Sequence, residues 1–239
     1  MKHVLLLLRE MKDLLILGID TSGKTAAASL YEDGIFLGQE SVYTVKTQSQ
    51  VILPMVKKLM SDCGRELSQL DKIAVSKGPG SYTGIRIGVS AVKAMAFALE
   101  IPCIGVSTLE GLAFTSGFKG IVCPVMKARK DLVYSAVYNM NEKNAEIVFD
   151  EQVISMAELA DFLKTVDSEI LLTGDGAEDF YKEFQNDNFE LASAHLRFQS
   201  GSGIVLAALN KPCQTDDELQ ASYLQIVKAE KDLMKSQKD

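Results

Sequence analysis

The stretch Lys72-Ile-Ala-Val-Ser-Lys-Gly-Pro-Gly-Ser-Tyr-Thr-Gly-Ile-Arg-Ile-Gly-Val-Ser-Ala-Val-Lys-Ala-Met-Ala-Phe-Ala-Leu99 decides the fold class. Its opening run, Ile73 to Val75, is apolar and carries the β-branched content of a buried strand. Gly78-Pro79-Gly80 ends that run with strong turn punctuation. Ser81 and Thr83 are candidate N-caps. From Gly84 the pattern is helical, because Ile85, Val89, Val92, Ala96 and Leu99 fall on one stripe. Gly84, Gly88, Ala91 and Ala98 leave the neighbouring faces low in bulk. Another backbone can approach such a helix closely, from its own domain or from a partner chain.

A strand, a glycine-rich turn and a helix N-terminus are also the parts of a phosphate cradle, since unpaired N–H groups and the helix dipole favour an anion. The spacing is not that of Gly-x-x-x-x-Gly-Lys-Ser/Thr. The competing reading is a structural turn whose glycines permit positive φ and close packing.

Upstream, Leu14 to Ile19 reads as a strand ending in the turn Asp20-Thr21-Ser22-Gly23. Ala26 to Tyr31 and Ile35 to Val42 form further strands around Glu32-Asp33-Gly34. A helix covers Thr47 to Ser61; Pro54 places its start near Ser49 to Ile52, so that the proline lies in the first turn. Downstream, Cys103 to Val106 is a strand, and Leu109 to Phe114 a helix capped by Ser107 or Thr108. A second set of elements then begins. It has strands at Ile121–Met126, Leu132–Asn139 and Glu146–Phe149, and the charged hairpin Lys127–Asp131. A helix at Met156–Lys164 follows, with Ser155 and Glu158 as a capping box. The strand Ile170–Thr173, the turn Gly174-Asp-Gly-Ala177, a helix over Glu178–Phe184 and a helix at Ile204–Leu209 complete it. The order echoes that of the first half without a sequence repeat. Gln214–Gln220 reads as loop, and Ala221–Gln225 as a short segment packing Tyr223 and Leu224.

The 239 residues suffice for one large or two small domains. A net charge of -7 argues against a protein that coats nucleic acid unaided. Four widely spaced cysteines without a Cys-x-x-Cys pair suit a reducing cytosol. The apolar run Val4–Leu8 is too short to span a membrane and lacks a signal-peptide cleavage pattern. Met11 is the expected start, residues 1–10 an upstream extension, and 228–239 a charged tail.

Little recognisable catalytic chemistry is present. His3 and His195 are the sole histidines, so no His-x-x-x-His metal pair exists. Ser81 has no evident His partner, and no Gly-x-Ser-x-Gly elbow occurs. Asp20 is the best candidate carboxylate, at a turn whose Asp, Thr, Ser and Gly also suit any hairpin. Arg86 could meet a phosphate or a partner's carboxylate, or simply face solvent.

Several segments together resemble the TsaB (YeaZ-like) family of tRNA threonylcarbamoyladenosine biosynthesis. They are Ile16-Leu-Gly-Ile-Asp-Thr-Ser22, Gly78-Pro-Gly-Ser-Tyr-Thr-Gly-Ile-Arg-Ile-Gly88, Ile101-Pro-Cys-Ile-Gly-Val-Ser-Thr-Leu-Glu-Gly-Leu-Ala113, Ala128-Arg129 with Val133-Tyr134, and Ala221 to Leu224. The resemblance implies an α/β fold of two actin-like (ribonuclease H-like) lobes. The first would span residues 11–106, with a C-terminal helix returning to it, and the second 107–224. It also implies a cytoplasmic, non-catalytic paralogue of TsaD, the subunit that modifies adenosine 37 of tRNAs reading codons that begin with A. The chain would bind TsaD, with the ATPase TsaE joining them and tRNA met only indirectly, and would form a homodimer when alone. The implied contact surface comprises Ser81, Tyr82, Gly84, Ile85, Arg86, Gly88, Val89 and Val92, with Leu53 and Val56 from the neighbouring helix. No cofactor or metal is required by the chain itself; ATP or ADP and magnesium belong to the complex. By analogy with the wider superfamily, Asp20, Thr21, Ser22, Gly174 and Gly176 are the positions where a nucleotide would bind. The alternative function is a small actin-fold ATPase or kinase using Asp20. The chain departs from the family at Lys127, where Asp is frequent, and at Thr47-Gln-Ser-Gln50, where a His is frequent. It departs again at Ser222 and Gln225, in place of Pro and Arg.

Overall fold

The computed structural model describes residues 14–224. The extension 1–10 and the tail 228–239 lie outside them. Strands β1 (Leu15–Asp20), β2 (Thr25–Glu32) and β3 (Ile35–Tyr43) form an antiparallel meander. Helix α1 (Gln48–Asp62) leads to β4 (Lys72–Gly78), which pairs parallel with β1. Helix α2 (Tyr82–Leu99) leads to β5 (Cys103–Ser107), parallel to β4. The sheet order is β3-β2-β1-β4-β5. After α3 (Thr108–Thr115) the scheme repeats. Strands β6 (Gly120–Lys127), β7 (Leu132–Met140) and β8 (Ala145–Ser155) are the meander, followed by α4 (Met156–Leu163), β9 (Ile170–Thr173), α5 (Ala177–Glu183) and β10 (Phe189–Leu191). The second sheet runs β10-β9-β6-β7-β8, the same order of roles as the first. The fold is therefore α/β, with two actin-like lobes of mixed sheet flanked by helices. Helix α6 (Gly201–Ala208) closes the described chain's secondary structure.

The layers follow from side-chain alternation. On β1, Leu15, Leu17 and Ile19 face α1 and α2, while Ile16 faces the other way. Both faces are covered, which is why β1 reads as an unbroken apolar run. Ile52, Val56, Ile85, Val89 and Val92 pack over Leu17, Ile73 and Val75. Between the two sheets lie α3 and α6, whose Leu109, Leu112, Ile204 and Val205 join Ile16 and Ile104 to Met126, Tyr134 and Tyr138. Leu159, Leu163 and Phe180 of α4 and α5 cover Cys123, Val125 and Leu172 on the far side of the second sheet. Helix α6 crosses β1 at backbone distance: a Cβ on Gly18 would stand 2.4 Å from Gly201 O. Among the described residues no helix is long and apolar enough to cross a membrane.

Several element limits differ from those read in the sequence. Helix α1 starts at Gln48, before the expected Ser49 to Ile52, and carries Pro54 in its interior. Gln50 Oε1 accepts the Thr47 N–H at 3.2 Å and closes the first turn early. Pro54 lies on the exposed face, where solvent can satisfy the Gln50 carbonyl it leaves without a helical donor. Ser81, not Thr83, caps α2, which begins at Tyr82 rather than Gly84. Strand β8 extends to Ser155; irregular register opposite Ser135–Tyr138 breaks its alternation. The short β10 was not legible, and α6 begins at Gly201 rather than Ile204.

Candidate functional site

Two features of the first lobe are candidates: the cleft between the lobes and the outer face of α1 and α2. The cleft, about 550 Å³, is walled by the β1–β2 tip, the Gly78–Gly80 turn, the β6–β7 hairpin and the chain's last described residues.

At the tip, Asp20 is buried. Its Oδ1 accepts the Ser22 N–H at 2.8 Å, the Ser22 hydroxyl at 2.6 Å and the Ser76 hydroxyl at 2.9 Å. Burial pushes its carboxyl up to about 6, against the lowering by those three hydrogen bonds. Thr21 and Ser22 are buried as well. Thr21 Oγ1 donates to Gly84 O at 2.8 Å, and Ser22 O accepts the Ser81 N–H at 2.7 Å. The tip is thus bolted to the start of α2, with Asp20 and Thr21 behind the Ser22–Lys24 stretch that lines the cleft.

The turn is a packing device. Gly78 and Gly80 have φ of +117° and +148°. A Cβ on Gly80 would meet Ser22 O at 2.4 Å, and one on Gly84 would meet Thr21 O at 2.1 Å. The glycines serve close approach within the lobe, in agreement with the structural reading of this turn.

The second lobe shows the same economy. Gly174 N–H donates to Arg197 O and Gly176 N–H to Val125 O, each at 2.9 Å. Asp175 accepts the Lys127 N–H at 2.9 Å, and burial raises its carboxyl. Lys127 Nζ pairs with Asp179 at 2.6 Å. The Asp20 carboxylate is buried and hydrogen-bonded, and the Gly174 and Gly176 amides are taken by protein carbonyls, while Ser22 and Gly23 line the cleft. Among the described residues no group of three His, Cys, Asp or Glu could hold a metal ion. Lys24, Lys127 and Arg129 lie on the cleft walls, together with Asp175.

The C-terminal segment is part of this site: Tyr223 and Leu224 pack as their sequence suggested, while the course of Gln214–Gln220 was not legible. Gln214 exchanges backbone hydrogen bonds with Cys103 at 2.9 and 2.8 Å, extending the sheet beyond β5. Leu219 is buried in the first core, and Ser222 N–H donates to Lys77 O at 2.6 Å. Tyr223 then stacks on Tyr82 with centroids 4.9 Å apart, while Leu224 packs against the central core. Arg86 donates to Tyr82 Oη at 2.8 Å.

The residues expected on a partner surface divide. Gly84, Ile85, Gly88, Val89, Val92 and Val56 face the chain's own core, because the stripe they form covers the sheet. They leave no side chain on the outer face. Ser81, Tyr82, Arg86 and Leu53 are exposed. Sequence reasoning missed Phe97, which is 73% exposed near the end of α2, on the same pair of helices as Leu53 at 49% and Tyr82 at 45%. Its signal was an aromatic residue outside the apolar stripe.

Comparison with known proteins agrees with this architecture. The family model described as TsaD, tRNA N6-adenosine threonylcarbamoyltransferase, matches residues 43–237. The tRNA threonylcarbamoyladenosine biosynthesis protein TsaB of Bacillus subtilis is 32% identical over 228 residues, covering 93% of this chain and 99% of that one. TsaB of Escherichia coli is 35% identical over 130 residues, 53% of this chain and 56% of that one. The solved structure of YeaZ from Pseudomonas aeruginosa superposes with a TM-score of 0.77 at 25% identity, covering 88% of this chain and all of that one. With likeness sustained over nearly the whole of both chains in sequence and in fold, the chain belongs to the TsaB family.

Proposed function

We propose that the chain is a non-catalytic member of the tRNA threonylcarbamoyladenosine pathway that docks the catalytic subunit TsaD through the outer face of α1 and α2. The same face pairs two copies of the chain when TsaD is absent. The observation that carries this reading is the apolar exposure of Phe97, Leu53 and Tyr82 on two adjacent helices. Large apolar groups left exposed along a folded surface favour burial against another protein.

On this reading, transfer to the tRNA adenosine occurs on TsaD. TsaE, ATP and magnesium act in the assembly, tRNA is met through the assembly, and the setting is the cytoplasm. The sealed Asp20 and the occupied loop amides support a supporting role for this chain. Arg86 and Ser81 contribute polar contacts at the rim of the docking face.

Reconstituted tRNA modification with TsaD, TsaE, ATP and magnesium tests the reading. Leu53→Asp combined with Phe97→Asp should abolish the chain's stimulation of modification, and Asp20→Asn should retain it. The opposite pattern would return the function to a nucleotide-using enzyme built on Asp20.

A further inference from the structure

A second cavity, about 510 Å³, lies on the other side of the β1–β2 tip, where β2, β3 and the N-terminus of α6 meet. No Asp, Glu, Lys or Arg is among the described residues that line it. Its wall is nonetheless built from buried polar groups. Gln199 is 3% exposed and sits against Gly23, yet its amide has no hydrogen-bond partner among the described residues. Thr25, also buried, borders the same space. Ser200 caps α6 by accepting the Ser202 N–H at 3.1 Å, and the two hydroxyls lie 2.6 Å apart. Tyr43 and Phe198 form an apolar corner, with ring centroids 6.0 Å apart in an edge-to-face arrangement. The Lys24 ammonium stands 5.9 Å above the Tyr43 ring, at the boundary with the main cleft.

These observations have one chemical reading. The Gln199 amide is completed only by what fills the cavity, so a group that pairs with it there is favoured. The positive end of an eight-residue helix adds a preference for negative charge. With His195 as the single basic group among the described lining residues, the wall suits a monoanion better than a doubly charged phosphate. The aromatic corner suits a flat apolar body. We propose that this cavity binds a small planar carboxylate, with its oxyanion at Gln199 and the Ser200–Ser202 cap and its flat body against Tyr43 and Phe198. This inference is independent of docking on α1 and α2.

Benzoate is the direct probe, titrated into the isotope-labelled full chain by NMR. The expected result is a saturable shift of the Gln199 side-chain amide and the Ser202 backbone amide. Benzamide and inorganic phosphate should bind more weakly, each by about tenfold or more, because charge-assisted hydrogen bonds need the monoanion. Gln199→Leu should weaken benzoate by a similar factor. Ser202→Ala serves as the second variant should loss of the Gln199 contact with Gly23 disturb folding. Absence of saturation at millimolar benzoate would leave a solvent-filled polar cavity and overturn the proposal. So would saturation centred on Lys127 and Arg129, or binding indifferent to both substitutions.

Discussion

The two faces of α2 use the same kind of sequence for opposite ends. The inner face carries Gly84, Ile85, Gly88, Val89 and Val92, and all of them are consumed within the lobe. Its glycines let the Thr21 backbone and hydroxyl lie against the helix at distances no side chain would allow. The outer face carries Tyr82, Arg86, Ser90, Ala94, Phe97 and Ala98, and all of them are exposed. The small residues of this helix mark a close internal crossing with the β1–β2 tip. The proposed partner surface is marked instead by large apolar residues that miss the core stripe.

The largest effect should come from breaking the inner face. Gly84→Val drives a side chain into the Thr21 carbonyl, a backbone atom held by the β1–β2 tip, and should cost about 3 kcal/mol or more. Chemical denaturation checks this. A variant that kept wild-type stability would mean that the tip and α2 are not locked together.

The next effect lies at the tip itself and depends on pH. The folded state raises the Asp20 carboxyl from its ordinary 3.8 to about 6, so it binds that proton more tightly than the unfolded chain. The resulting stabilisation is complete below the ordinary value and is lost as pH rises through the folded one. Asp20→Asn removes that dependence. Measured by urea unfolding, its stability relative to wild type should rise between pH about 4 and about 7, by roughly 3 kcal/mol. A difference that stays constant with pH would show that the carboxylate is hydrated rather than sealed.

A smaller effect is expected where the C-terminal segment meets the start of α2. Tyr223→Ala removes the ring stacked on Tyr82 and should cost about 1 kcal/mol. It should also speed amide exchange of Ser222, whose N–H is bound to Lys77 O. No change in that exchange would mean that the backbone bond, not the ring, holds the segment down.

The sequence carried the alternation of strands and helices well, because burial on both faces makes β1 and β4 plain apolar runs and α2 keeps a clean stripe. It carried the caps at Ser81, Ser107 and Ser155 for the same local reason: their hydroxyls answer the unpaired amides of a helix start. It did not carry the destination of the stripe. Ile85 and Val89 look alike whether they meet a sheet of the same chain or another molecule, and only the fold shows which. It disclosed the packing of Tyr223 and Leu224 but hid the backbone bonds of Gln214 to Cys103 and of Ser222 to Lys77, which side-chain patterns do not report. Gln199 was illegible because a buried amide has no periodic signature.

The central claim is that the outer face of α1 and α2 is the docking surface, and light scattering coupled to size exclusion tests it most directly. The wild-type chain, run alone and then with TsaD from the same organism, should show a homodimer replaced by a heteromeric complex. Leu53→Asp combined with Phe97→Asp should run as a folded monomer in both experiments. Retention of either assembly by that double variant would contradict the account.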